Sequence, residues 1–288
     1  METILKVENL NKKFKEFELG NVSFELPKGY TVGLVGANGA GKTTLLDLIM
    51  GFQKINGGSI NYFNKCTSAE ENEVKNRIGY VSDSNYFHPH WKVKNVATAM
   101  ETGFDNFNKD KFYELVAKFE INLKKEILQM SKGTQMRLML AAQLARATEL
   151  LVLDEPASPL DPLMRDELCD LFREYVKDGE KTVFFSTHNI ADMEYATDYV
   201  IVMKNGKIIE QGFVDDLKEK YSVVSGNSKE IDDIKKYFKE IRVTSMGFEG
   251  IVLSSDINRV VEEFDVAVET PSLQQIVVML LKLKEFEG

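Results

Sequence analysis

The feature that most constrains this 288-residue chain is a glycine-rich stretch, GANGAGKT, at residues 36–43. An apolar run of strand type, TVGLV, precedes it at residues 31–35, and the TLLDLIM run that follows has helical spacing. The pattern G-x-x-x-x-G-K-[ST] between a strand and a helix surrounds phosphate groups with backbone N–H groups. We therefore predict an α/β fold with a phosphate-binding cradle at the end of a buried strand.

The residue types in this cradle predict distinct chemical roles. Its glycines allow the backbone to turn with positive φ and to approach a phosphate chain closely. Lys42 is predicted to reach the β- and γ-phosphates, and Thr43 to place its hydroxyl on Mg²⁺. A glycine-rich turn with an incidental lysine is the alternative. The nucleotide-binding candidates of this stretch are Gly36, Asn38, Gly39, Ala40, Gly41, Lys42, Thr43 and Thr44.

A second apolar run, LLVL at residues 150–153, ends in two adjacent acids, Asp154 and Glu155. An uninterrupted apolar run is typical of a buried parallel strand, and ligands bind beyond the carboxyl ends of such strands. Asp154 is predicted to hold Mg²⁺ through its water shell, and Glu155 to orient or deprotonate the attacking water. The alternative is a strand end that carries two solvated acids.

The charge and hydropathy of the chain limit the kinds of partner that it can bind and the cellular location that we expect for it. The chain has 36 basic and 45 acidic residues, a net charge of −9, without a visible basic stripe, so nucleic acid is disfavoured as a partner. Its longest run of hydrophobic residues, Ile276 to Leu281, is far shorter than the ~20 residues of a spanning helix, and no secretory signal pattern opens the sequence. We expect a cytoplasmic protein.

The order of motifs along the first 215 residues resembles the nucleotide-binding domain of ATP-binding-cassette (ABC) transporters. The matching elements are Phe14, the cradle at 36–43, GYVSD at 79–83, MSKGTQ at 130–135, LLVLDEP at 150–156, SPLD at 158–161 and Thr187-His188. The resemblance implies a P-loop NTPase cassette with a RecA-like core, an antiparallel β subdomain and a helical subdomain at about 84–145. It also implies an ATPase that couples ATP hydrolysis to transport.

The resemblance implies roles for residues outside the cradle. Phe14 has the position of the aromatic ring that stacks on adenine; the alternative is that Phe14 is a core residue and Phe17, or neither ring, stacks. His188 resembles the switch histidine that contacts the γ-phosphate and orders the water and Glu155. Ser131 and Gly133 of the signature are expected to touch phosphate oxygens.

Two motifs depart from the family pattern: the signature, which differs at Met130, Lys132 and Thr134, and the Q-loop, which differs at Asp83. Lys132 replaces a glycine of the signature, where it either tightens ATP binding or extends into solvent. Asp83 replaces the glutamine of the Q-loop. An oxygen of its carboxylate can still bind Mg²⁺, but the carboxylate adds negative charge near Asp154 and Glu155. The alternative is that Asp83 faces solvent and that the Mg²⁺ ligand comes from elsewhere.

In this family the signature of one cassette closes over the ATP held by another, so a chain with one cradle and one signature implies a dimer. The partner cassette is either an identical or a different chain. A separate transmembrane permease is also implied, which would place this chain on the inner face of the cell membrane. The aromatic cluster Tyr86, Phe87 and Trp91 either receives the permease or packs within the helical subdomain. A regulatory cassette that binds ATP with little turnover is the alternative function.

The pattern after the hairpin at 199–212 predicts a second, smaller unit. We assign residues 1–217 to the cassette and 218–288 to a small C-terminal α/β domain with alternating runs and a final helix. The ending PSLQQIVVMLLK resembles that of cassette subunits of ABC-2-type exporters, including those linked to antimicrobial peptides. The resemblance favours export; the simpler explanation of the apolar run is the buried face of a last helix.

Overall fold

The computed structural model describes residues 2–65, 68, 71–227, 231–244 and 247–282 of the chain. Its strands are β1 (Thr3–Lys13), β2 (Glu18–Pro27), β3 (Thr31–Val35), β4 (Gly57–Tyr62), β5 (Ile78–Val81), β6 (Leu150–Leu153), β7 (Thr182–Thr187), β8 (Tyr199–Lys204), β9 (Lys207–Phe213), β10 (Tyr221–Gly226), β11 (Phe238–Thr244), β12 (Gly247–Leu253) and β13 (Val266–Glu269). Its α-helices are α1 (Lys42–Ile49), α2 (Asn72–Arg77), α3 (Val93–Gly103), α4 (Lys109–Lys118), α5 (Lys132–Leu144), α6 (Pro162–Val176), α7 (Val214–Lys220), α8 (Ile231–Ile234), α9 (Ile257–Glu263) and α10 (Leu273–Lys282).

A six-stranded sheet in the order β5-β6-β7-β3-β8-β9 forms the centre of the fold. All neighbouring strands are parallel except β9, which pairs antiparallel with β8. Every residue of β3, β6 and β7 is buried, because helices or a second sheet cover both faces. Since β3, β6 and β7 are neighbours, the loops that leave their carboxyl ends meet at one edge of the sheet.

Side chains from the two faces of this sheet enter two separate cores. Phe184 of β7 packs with α1 and with the antiparallel sheet β2-β1-β4, whereas Phe185 faces the layer formed by α3, α5 and α6. The alternation of side chains along a strand produces this division. The arrangement agrees with the predicted α/β class and with its antiparallel and helical parts.

The C-terminal part contains a four-stranded antiparallel sheet in the order β11-β12-β10-β13. Val224 and Phe248 lie in a small core of its own, while Leu273 and Ile276 of α10 are buried in the main core. The predicted boundary between residues 217 and 218 falls within α7, so the division into two domains stays a prediction. Residues 228–230, 245–246 and 283–288 of that predicted domain lie outside the described residues.

Candidate nucleotide-binding site

The glycine-rich stretch forms a loop between β3 and α1, as its spacing predicts. Gly39 and Gly41 have φ of 80° and 105°, values that side-chain-bearing residues rarely adopt. A Cβ at Gly36 would lie 2.4 Å from the Met203 carbonyl oxygen, so this position also requires glycine. No side chain caps the first turn of α1, whose N–H groups lack intrahelical acceptors and are suited to an anion.

Lys42 lies at the base of this cradle and is 6 % exposed. Its Nζ donates to the Gly36 carbonyl oxygen at 2.8 Å and lies 3.3 Å from Glu155 Oε1. A buried ammonium needs such oxygen partners, because its desolvation is otherwise costly. The cradle therefore concentrates positive charge beside the carboxylate that follows β6.

Asp154 occupies the carboxyl end of β6 and is almost fully buried. Thr43 Oγ1 donates to its Oδ2 at 2.8 Å, and the Ser186 hydroxyl donates to its Oδ1. Burial raises the pKa of Asp154, an effect that these two hydrogen bonds oppose. The structure thus joins the threonine of the cradle to the first acid of β6.

Thr43 and Asp154 supply hard oxygen atoms, the donors that Mg²⁺ prefers. Within the described ranges no cluster of three or more His, Cys, Asp or Glu side chains could hold a metal ion. Mg²⁺ usually keeps several waters and binds through one or two carboxylates together with substrate phosphates, so the two residues fit this ion. Asp83 is exposed just beyond β5, and its charge raises the pKa of Asp154 further.

Glu155 connects the cradle to the end of β7. Its Oε2 lies 2.8 Å from His188 Nδ1, while its Oε1 faces Lys42. The residue has a left-handed backbone with φ of 48°, and its N–H donates to Ser186 Oγ at 2.9 Å. A non-glycine residue in this conformation stores strain, which is typical of functional sites. Three candidates that lie far apart in the sequence, Lys42, Glu155 and His188, are therefore in contact with one another through Glu155.

The two aromatic candidates differ in their exposure and in the contacts that they make with the cradle. Phe14 is 36 % exposed, and the centroid of its ring lies 6.2 Å from that of Phe17. Phe17 is half-buried, and a Cβ at Gly41 would lie 2.6 Å from its Cζ. Phe17 also lines a cavity of about 570 Å³ together with Gly39 and Lys207. The alternative that Phe17 stacks on a base therefore has geometric support.

Lys207 was not a candidate from the sequence, because the Asn-Gly pair before it indicates only a hairpin turn. The β8–β9 hairpin nevertheless lies beside the cradle: the Gly206 N–H donates to the Ala40 carbonyl oxygen at 2.9 Å. No sequence signal connects this hairpin with the glycine-rich loop.

The signature residues lie at the start of α5. Ser131 caps this helix and accepts a hydrogen bond from the Thr134 N–H at 3.2 Å. A Cβ at Gly133 would lie 3.2 Å from the Pro159 carbonyl oxygen, so the signature packs against the SPLD segment. The exposed Lys132 lines a cavity of about 420 Å³ that Asp83 also lines.

Comparisons with known proteins assign the family. The ABC transporter family model matches residues 19–158. The uncharacterized ABC transporter ATP-binding protein YxlF of Bacillus subtilis is 33 % identical over 75 % of this chain and 73 % of its own. The bacitracin transport ATP-binding protein BcrA of Bacillus licheniformis is 30 % identical over 76 % of this chain and 73 % of its own.

Solved structures agree with this assignment at the level of the fold. The cbiO1 protein of Clostridium perfringens, part of the cbiONQ ABC transporter complex, has a TM-score of 0.64 and 26 % identity over 82 % of this chain and 94 % of its own. The chain therefore belongs to the ABC transporter family as an ATP-binding subunit, which is an ATPase. The predicted family, fold class and ATP binding are confirmed.

Proposed function

We propose that this chain hydrolyses ATP at the carboxyl ends of β3, β6 and β7, pairs with a second cassette and drives a separate membrane permease. The observation that carries the proposal is the position of the Glu155 carboxylate between Lys42 and His188. A general base must lie within hydrogen-bond reach of the proton that it accepts. A cation beside it that binds phosphate fixes where the phosphate lies, and therefore where the attacking water must lie. Family membership supports the same chemistry.

The residues of the site have different roles in the proposed reaction. Lys42 and the N–H groups of α1 bind the phosphates, while Thr43 and Asp154 would hold Mg²⁺. When bound, Mg²⁺ neutralises charge on the β- and γ-phosphates. Glu155 accepts the proton of the attacking water, and His188 fixes the orientation of that carboxylate. Phe17, or Phe14, stacks on the base.

A second cassette would complete the site. Ser131 and Gly133 lie at the start of α5 within this chain rather than in its own cradle. The N-terminus of a helix favours anions, so α5 of one chain suits the phosphates of ATP held by the other. Dimerisation around two ATP molecules follows, and hydrolysis removes the γ-phosphate contacts that hold the dimer closed.

A groove of about 610 Å³ between the sheet edge and the helical layer is the proposed docking site for the permease. Its lining includes Phe52, Tyr80, Tyr86, Phe87, Met100, Phe104 and Arg146. Trp91, the third aromatic residue of the predicted cluster, packs against the core instead. Apolar grooves of this kind accept an amphipathic helix.

Arg146 indicates the charge that this permease segment would carry. Its guanidinium donates to Gln143 Oε1 at 2.7 Å and to the Lys75 carbonyl oxygen at 2.5 Å, and among the described residues no carboxylate pairs with it. Burial lowers the pKa of Arg146 to about 10. A buried guanidinium without a carboxylate favours an acidic side chain from the partner.

No helix within the described ranges combines the length and apolar character of a membrane span. We place the working protein on the inner face of the membrane through its permease. Export is the proposed direction. The phosphonates import protein PhnC of Fusobacterium nucleatum is matched over 92 % of its length, whereas BcrA of Bacillus licheniformis is matched over 73 %. Of these two relatives, BcrA is the one that, like this chain, has a sizeable segment beyond the matched residues.

Steady-state phosphate release with ATP and Mg²⁺ tests the proposal, with purified chain alone and with its permease. We expect turnover that increases with the permease and is lost in a Glu155→Gln variant. ATP binding without phosphate release in both preparations would favour the regulatory alternative, which the replacements at Asp83, Lys132 and Thr134 motivate.

A further inference from the structure

The chain that follows His188 forms a short segment, residues 189–196, which we term the post-switch segment. It contains two 3₁₀ turns, Ile190–Asp192 and Glu194–Ala196, before β8 begins. Ile190 and Met193 are buried in the main core. Since His188 is joined directly to this segment, any displacement of the segment moves the imidazole relative to Glu155.

Helix α6 holds one side of the post-switch segment. Arg165 pairs with Asp192 at 2.7 Å, and the same guanidinium donates from Nε to the Leu160 carbonyl oxygen at 3.0 Å. Arg173 donates to the Tyr195 carbonyl oxygen at 2.5 Å. These contacts come from the cassette itself and involve backbone oxygens as well as an acid.

Helix α10 holds the other side through Glu194. The Leu273 N–H, in the first turn of α10, donates to Glu194 Oε1 at 2.9 Å, and Lys218 Nζ of α7 lies 3.2 Å from the same oxygen. The negative charge also suits the N-terminus of a helix. Leu273 and Ile276 are fully buried beneath it, so α10 cannot move without disturbing the post-switch segment.

We propose that Glu194 is a positioning residue for ATP hydrolysis, through which α10 sets the placement of His188 against Glu155. The proposal rests on the roles assigned above to His188 and Glu155. His188 Nδ1 lies 2.8 Å from Glu155 Oε2, a hydrogen bond that an ångström of displacement would break. Displacement of that size can cost about a hundredfold in rate even when the change lies away from the reacting atoms.

Three variants of the full chain test this proposal through ATP hydrolysis. Glu194→Ala removes the acceptor of the Leu273 N–H, and we expect kcat to fall about tenfold while KM for ATP stays within about twofold. Glu194→Gln keeps an amide oxygen that accepts the same hydrogen bond, and it loses the pairing with Lys218 and the negative charge at the N-terminus of α10. It should therefore retain kcat within about threefold, since a partly exposed ion pair contributes little.

The matched control is Glu219→Gln, which makes the same charge change at an exposed position of α7 and should leave kcat and KM unchanged. Hydrogen–deuterium exchange supplies a second readout. In Glu194→Ala the amides of the post-switch segment should exchange faster than in the unmodified chain, while those of α4 keep their rate.

An unchanged kcat in Glu194→Ala would overturn the proposal, and so would an equal loss in Glu194→Ala and Glu194→Gln with unaltered exchange of the post-switch segment. A fall in melting temperature with kcat unchanged per folded molecule would assign Glu194 a purely structural role and also overturn it. Absence of phosphate release from the unmodified chain with its permease would instead refute the proposed function.

Discussion

Replacement of Glu155 by glutamine separates the chemistry of this carboxylate from its contacts. In the chain, Oε1 lies 3.3 Å from Lys42 Nζ and Oε2 lies 2.8 Å from His188 Nδ1. A glutamine of equal length keeps an amide oxygen that accepts from Lys42 and an amide N–H that donates to the imidazole, but its amide nitrogen cannot accept the long hydrogen bond that the His188 backbone N–H donates to Oε2 at 3.3 Å. The variant loses the negative charge and the capacity to accept a proton.

The expected loss of rate follows from the role of the missing group. Removal of a positioned general base lowers a rate by about 10²–10⁴-fold, or about 2.7–5.4 kcal/mol of transition-state stabilisation. The free energy of unfolding should fall as well, because the buried ammonium of Lys42 loses its charged partner. Glutamine meets the same left-handed backbone, with φ of 48°, and keeps the backbone hydrogen bond to Ser186.

Single-turnover phosphate release and gel filtration in ATP measure the two consequences. We expect ATP to stay bound, phosphate release to fall at least about 100-fold, and a closed dimer to accumulate. Glu174→Gln, on the exposed face of α6, makes the same charge change and should behave as the unmodified chain. Phosphate release by the Glu155→Gln variant within about tenfold of the unmodified rate would refute the assignment of the base, and a monomer at saturating ATP would refute the model of closure.

Three further predictions concern the cradle and its neighbours. Lys42→Ala should abolish productive ATP binding in calorimetry, because the buried cation of the cradle is lost; unchanged hydrolysis would contradict its role. Phe17→Ala should raise KM for ATP more than Phe14→Ala, because Phe17 lies against Gly41; the reverse order would return the stacking role to Phe14. Without nucleotide, Asp154→Asn should raise the melting temperature at neutral pH, since the folded-state pKa of Asp154 is above its unfolded value and its ionised form is disfavoured. That gain should shrink as the pH falls through the raised pKa, and a gain that grows there would contradict the prediction.

The meeting of Lys42, Glu155 and His188 could be predicted from the sequence because each follows the end of a short apolar strand. The carboxyl ends of parallel strands lie at the same edge of a sheet, so residues that follow different strands in the sequence become neighbours in space. The helix start at Lys42 was also predictable, because the glycine-rich pattern opens a helix at its lysine.

The position of the stacking aromatic could not be predicted in the same way. It depends on the pairing of β1 with β2, whose register shifts twice between Val7 and Lys12. Such irregularities change which ring faces the cradle, and they leave no periodic signal in the sequence. The family resemblance therefore favours Phe14 from the sequence and leaves Phe17 as the alternative.

The surface against which α10 packs could not be predicted from the sequence either. An apolar run such as Ile276 to Leu281 predicts that one face of a helix is buried but contains no information about the surface that covers it. Glu194 lies 79 residues before Leu273, and its partner could be identified only from the folded chain.

The hydroxyl of Ser186 contacts both acids that follow β6: it donates to the carboxylate of Asp154 and accepts from the backbone of Glu155. Loss of this oxygen by mutation to alanine would disturb the metal-binding acid and the base in a single step. Threonine alone among the common β-strand formers would keep both bonds. A side chain at this position of β7 must therefore be an alcohol if the metal-binding acid and the base are both to keep their hydrogen bonds.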